Sequence, residues 1–167
     1  MSAWFARVGL PLTLEENVAI GELTRIVAPR APVVVAALAS WHEAAAFVRA
    51  AEHDSTWWDQ EEEEREALWA RATEHRLESE LRQQLDAMTR ELDAAVRDAA
   101  FAAVTSVGRA DTAIAVEATG MALLAAHQSA LAEMAGEGPG HRFARKYTLF
   151  AGGRWPVGYH SARFVIF

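Results

Sequence analysis

The sequence of 167 residues contains no cysteine, five prolines and a single lysine. The absence of cysteine excludes disulfides, thiolate metal sites and thiol catalysis together. The apolar run from Val33 to Ala39 is too short to cross a bilayer, and the first residues lack a basic leader followed by an apolar segment. We therefore expect a soluble, cytoplasmic protein of one domain, long enough to bury a core without metal or disulfide support.

Glycine and proline are both missing from Val33 to Val107, a stretch rich in Ala, Glu, Arg and Leu. These residues lose little on entering a helix, so the stretch predicts long helices. Within it, apolar residues recur at steps of three and four in an eleven-residue rhythm: Leu77, Leu81, Leu85, Met88, Leu92, Val96, Ala99 and Ala103. That rhythm predicts one nearly straight helix from about Trp57 to about Val107, roughly 75 Å long.

Shorter helices are predicted on either side of this long one. Thr13 and Glu16 form a capping box for a first helix that ends before Pro29. Pro32 opens a second helix, with a short strand through Val33, Val34 and Val35 as the alternative. Asp111 caps a fourth helix, which closes at Gly136. The predicted fold is all-α: an elongated helical bundle over residues 1–137 with one long central helix, followed by a short aromatic tail that could contain a strand.

Charge divides the chain at the same place. Residues 1–137 hold 11 basic and 23 acidic residues, a net charge of −12, whereas residues 138–167 hold five basic residues and no acid, a net charge of +5. The acidic body would repel a phosphate backbone, so nucleic acid is a disfavoured partner. The basic tail is expected to contact the body or an acidic partner.

Residues that could carry catalysis form no clear set. The acidic run Glu61–Glu64 falls near the start of a predicted helix, where carboxylates favour the positive end of the dipole, and is expected to be solvated. Glu-x-x-His pairs, which di-iron helical bundles use, are absent, as is a Gly-x-Ser-x-Gly nucleophile motif. We therefore predict no enzyme activity and no cofactor; the alternative is a helical metal-dependent enzyme that gathers His42, His53 and His127.

The tail, residues 138–167, is unusually rich in aromatic and basic residues. Phe143, Tyr147 and Phe150 follow the spacing of a short amphipathic helix that Gly152 and Gly153 stop. Two interpretations stay open: Trp155 and Tyr159 fix the tail on the helical body, or the tail anchors another protein, because Trp, Tyr and Arg dominate interface energies. The second interpretation names seven candidate partner-binding residues: Phe143, Tyr147, Phe150, Arg154, Trp155, Pro156 and Tyr159.

The segment from Phe150 to Tyr159, with its Gly-Arg-Trp-Pro-Val-Gly-Tyr core, resembles the C-terminal signature of small helical proteins associated with caspase-and-TPR-repeat (CATRA) conflict systems of bacteria. The resemblance covers about Phe143 to Phe167. It implies a non-catalytic adaptor or regulatory subunit in defence, acting through contacts with a caspase-like protease or another component of the system. It supplies no catalytic residues. A second copy of this chain is a further candidate partner.

Overall fold

The computed structural model describes residues 3–29, 35–38, 40–50, 55–106, 111–160 and 162–167. Within these ranges the chain is mostly helical, with a small sheet that includes two strands near the C-terminal end. The elements in chain order are α1 (Leu14–Val27), β1 (Val35–Ala37), α2 (Trp41–Ala50), α3 (Ser55–Thr73), α4 (Glu78–Ser106), α5 (Thr112–Met134), α6 (Arg142–Ala151), β2 (Pro156–His160) and β3 (Arg163–Ile166). The prediction of a helical fold with a long central helix and a strand in the tail is confirmed.

The central helix, α4, is shorter than predicted because the helical segment is interrupted between Thr73 and Glu78. The hydroxyl of Thr73 donates to the carbonyls of Trp69 and Ala70, and the backbone there closes into a turn. The break lets α3 turn back on α4, so that Leu68 and Ala72 share one buried cluster with Leu81 and Leu85 of α4. One continuous helix from Trp57 to Val107 is therefore wrong: burial of this second apolar face outweighs the helix propensity of the connecting residues.

The predicted apolar stripe is only partly the buried face of α4. Leu81, Leu85 and Val96 are buried, but Leu77 is 65% exposed because it lies in the turn before the helix. Toward the end of α4 the fully buried side is carried by Ala100 and Val104. This face packs mainly against α5, the helix next to α4 along the chain.

Two capping predictions are confirmed. The Thr13 hydroxyl accepts from the Glu16 amide, the Glu16 carboxylate accepts from the Thr13 amide, and α1 ends before Pro29. Asp111 caps α5 by accepting from the amide of Ile114. The predicted end of the preceding helix, at about Val107, lies outside the described residues.

The second predicted helix is wrong over its first part. Pro32, its expected start, lies outside the described residues, and the chain forms β1 before α2 begins at Trp41. The alternative, a short strand, is confirmed at Val35, whereas Val33 and Val34 lie outside the described residues. Val35 lies opposite Phe164 in a parallel pair with β3, so main-chain bonds to the distant tail replace those of a helical turn.

The sheet has the strand order β1-β3-β2, with β2 and β3 antiparallel. Gly158 in β2 adopts a φ of +124°, and a Cβ atom there would lie 2.6 Å from Nε1 of Trp57 on α3. Only glycine allows this approach of strand to indole. The sheet thus joins the tail to the body at both edges, through β1 and through α3.

No helix described in the structure is long and apolar enough to cross a membrane.

Candidate functional site

The structure packs the tail on the helical body, and this decides the surroundings of the seven tail residues. Phe143, Phe150 and Trp155 are at most 1% exposed, and Arg154 is 2% exposed. Pro156 is buried as well, while Tyr147 and Tyr159 are half-buried. These positions belong to the core of the chain itself, which supports the first interpretation of the tail, although their effect on partner binding remains a prediction.

Arg154 fastens the tail to the segment before α1. Its guanidinium uses all five N–H groups: Nε and one Nη2 proton reach the two carboxylate oxygens of Glu16 at 2.9 and 2.8 Å, and the rest reach main-chain carbonyls. Those carbonyls belong to Arg7, Leu10 and Pro11, at 2.6 to 2.7 Å. A planar group with five fixed donors is suited to this task, and lysine could not replace it.

The carboxylate of Glu16 accepts four hydrogen bonds. Arg154 donates two, Nε of Arg7 donates one at 2.6 Å, and the amide of Thr13 donates one at 2.7 Å. Burial raises the pKa of Glu16, but the bonds from Arg154, Thr13 and Arg7 outweigh it and lower the pKa from 4.5 to about 2. The carboxylate is thus held ionised at the joint between α1 and the tail.

Because of the hydrogen bonds to Glu16, we expect the folded protein to lose stability in acid. Because the pKa of Glu16 is lower in the folded chain than in the unfolded chain, its contribution is complete above pH 4.5 and is lost as the pH falls from 4.5 toward 2. Urea unfolding at several pH values measures this, with Glu16→Gln as the control that retains the shape but cannot titrate. An equally steep fall in the control over the same range would assign the effect to other carboxyl groups.

A second buried ionic cluster joins α3, α5 and α6. Nζ of Lys146 donates to both carboxylate oxygens of Glu61 at 2.6 and 2.8 Å, and the amide of Gln128 donates to the same carboxylate at 3.3 Å. Nη2 of Arg142 lies 3.7 Å from Glu61, and its guanidinium carbon is 4.8 Å from the centre of the Trp57 ring. Burial lowers the pKa of both Lys146 and Arg142, and in each case the charge of Glu61 opposes the shift.

The expected solvated role is therefore wrong for Glu61, which is 2% exposed. Glu62 and Glu63, the next two residues, are exposed as expected. Lys146, the one lysine of the chain, is the signal in the sequence that such a partner exists. Its partner could not be chosen from sequence because Glu61 is one of four successive glutamates.

Of the three histidines in the metal-enzyme alternative, His42 and His127 lie in the described residues, and the structure does not bring these two together. His42 lines a cavity of about 430 Å³ between α2 and the start of α5, together with Trp41 and Ile114. His127 lines a different cavity. It comes thirteen residues after Ile114, so the two residues are roughly 20 Å apart along the axis of α5. His53 lies outside the described residues. Nowhere in the described ranges do three His, Asp or Glu side chains converge as a metal site.

The outer face of α1 carries an apolar ridge. Leu14, Val18 and Ile26 of α1 are separated by four or eight residues and are 80%, 54% and 46% exposed, and Leu10, in the bend before the helix, is 50% exposed. They account for four of the seven exposed large apolar side chains in the part of the chain that the structure describes. Residues at steps of four form the ridges by which helices pack into the grooves of other helices, so this face has the form of a helix-docking surface.

Sequence reasoning missed the ridge, although a signal for it exists. The sequence of the first helix does not by itself distinguish the exposed Val18 and Ile26 from Ile20 and Leu23, which are fully buried. Leu14 and Val18, four residues apart in α1, lie on a face separate from that of Ile20 and Leu23. A helix needs only one apolar face to pack on the core of its own chain, so the second apolar face is the signal for the ridge.

The sequence matches no protein-family model, and no curated protein or solved structure shows significant similarity to it.

Proposed function

We propose that this protein is a non-catalytic protein-interaction module, an adaptor or regulatory subunit, that binds its partner through the apolar ridge of Leu10, Leu14, Val18 and Ile26. The observation that supports this most is the exposure of Leu14, Val18 and Ile26 on one side of α1, with Leu10 exposed just before the helix. A helix of the partner that inserts between them would bury apolar surface that now faces water.

The tail has a supporting part in this proposal. Arg154 holds the carbonyls of Leu10 and Pro11 and the side chain of Glu16, so it sets the path by which the chain enters α1. Arg145 of α6 forms an ion pair with Glu22, which occupies the fourth position of the ridge series. Both contacts hold α1 before a partner arrives, which reduces the ordering cost of binding.

For the partner, we propose a caspase-like effector or another component of a bacterial conflict system. The support is the resemblance of Arg154, Trp155, Pro156, Gly158 and Tyr159 to the CATRA-associated signature. The chemistry of the ridge requires an amphipathic helix on that partner. A second copy of this chain is the other candidate, and its own ridge would then be the contact.

Introducing negative charge into the apolar ridge tests this proposal. The double change Leu14→Glu and Val18→Glu is expected to leave the melting temperature within about 2 °C of the wild type, because both side chains are exposed, and to weaken partner capture at least about tenfold. The measurement is capture of caspase-like proteins encoded near this gene, together with sedimentation for self-association.

A matched control is available on α5. Val116 is 61% exposed and lies apart from the ridge, so Val116→Glu introduces one glutamate, against two in the ridge variant, into an exposed helical face. It should bind like the wild type. If it weakens capture as much as the ridge variant does, charge alone is responsible and the ridge is not the docking surface.

A further inference from the structure

We propose that the groove around His127 binds a small molecule with a planar ring and one carboxylate group. Two adjoining hollows of about 390 and 600 Å³ both have His127 and Asp86 in their walls. The walls of the first are completed by α3 and α4, through Arg65, Glu66, Trp69 and Arg82. Their sizes fall within the range of small-ligand sites.

His127 is a polar group placed to meet a ligand. It is half-buried on α5 and makes no hydrogen bond to any other residue that the structure describes. Burial and the nearby charge of Arg65 lower its pKa, while Asp86 acts in the opposite direction. A neutral imidazole offers one donor and one acceptor, and both remain available to a molecule in the groove.

Two arginines can supply the contact to an anion. Arg65 binds Glu62 and Arg82 binds Glu78, each through pairs made within one helix. Both glutamates are more than half exposed, and exposed ion pairs contribute little. Either guanidinium can therefore exchange its glutamate for a ligand carboxylate, to which it binds in a bidentate manner.

The remaining walls restrict the rest of the ligand. Trp69 offers a half-buried indole, against which a planar ring can pack in place of the Arg82 guanidinium, whose carbon lies 5.2 Å from the ring centre. Glu66 and Asp86 face the same hollow. Their charges disfavour a second negative group, which is why we assign one carboxylate rather than a phosphate dianion.

Titration of the full chain with 2-naphthoate tests the assignment, with 2-naphthamide as the neutral probe of the same shape. We expect 2-naphthoate to bind with a Kd below about 1 mM by calorimetry and to shift the imidazole resonances of His127. The double variant Arg65→Gln and Arg82→Gln should bind at least about tenfold more weakly, and so should 2-naphthamide.

Arg97→Gln is the matched control, because Arg97 also forms an exposed pair within α4, with Asp93, but does not line the groove. It should bind like the wild type. Absence of binding at about 5 mM, equal affinity for 2-naphthamide, or undiminished affinity of the double variant would each overturn the proposal. All variants retain the ridge on α1, so failure here leaves the proposed partner interaction untouched.

Discussion

Replacing Trp155 with alanine is expected to destabilise the protein by about 3 to 5 kcal/mol, which lowers the melting temperature by roughly 6 to 20 °C. Trp155 is fully buried, and its ring centre lies 5.7 Å from that of Trp41 and 5.2 Å from that of Phe167. Its indole N–H also donates to the sulfur of Met121 at 3.2 Å. The change leaves a cavity where α2, α5 and the end of the chain meet.

Circular dichroism of the purified variant during heating measures this effect. Trp155→Phe is the control, because it keeps an aromatic ring in place and should cost clearly less. An unchanged melting temperature with loss of partner capture would contradict the expectation and restore the interpretation of Trp155 as a partner anchor.

Glu61→Gln is expected to cost a similar amount, about 3 to 5 kcal/mol, for an electrostatic reason. Glu61 is the carboxylate that both Lys146 and Arg142 approach, and all three residues are at most 8% exposed. The neutral amide would leave the buried Lys146 without a counter-charge and Arg142 with only the charge of Glu64. Urea unfolding at neutral pH gives the change in the free energy of unfolding.

The cluster also predicts an asymmetry between its members. Lys146→Met removes one of the two cations and leaves Glu61 beside Arg142, so the buried charges balance. We expect this variant to be clearly more stable than Glu61→Gln, although both remove the same ion pair. Equal losses would show that the pair acts only through its two hydrogen bonds and that Arg142 takes no part.

Local signals in the sequence were sufficient for much of the helical framework. The capping box at Thr13 and the cap at Asp111 were readable because each depends on residues within three positions. The end of α6 at Gly152 was readable for the same reason. Composition alone indicated that most of the long stretch free of glycine and proline is helical.

Features that depend on distant residues were not readable. The break after Thr73 serves the packing of Leu68 against Leu81, and no local residue marks it as glycine or proline would. The strand at Val35 could be given only as an alternative to a helix, because its partner Phe164 lies 129 positions away. The same holds for the candidate surface: which apolar face of α1 stays exposed depends on where α6 and the tail pack.

The position of β3 has a consequence for the order in which the protein can fold. β3 is the middle strand of the sheet, between β1 and β2, yet it is the last element along the chain. Helices α3 to α5 can begin to pack while the chain is still being synthesised, since they contact one another, whereas α1 packs against α6. β1 has to wait for Arg163–Ile166 before it gains its partner in the sheet, so closure of the sheet is the step that must span almost the whole chain.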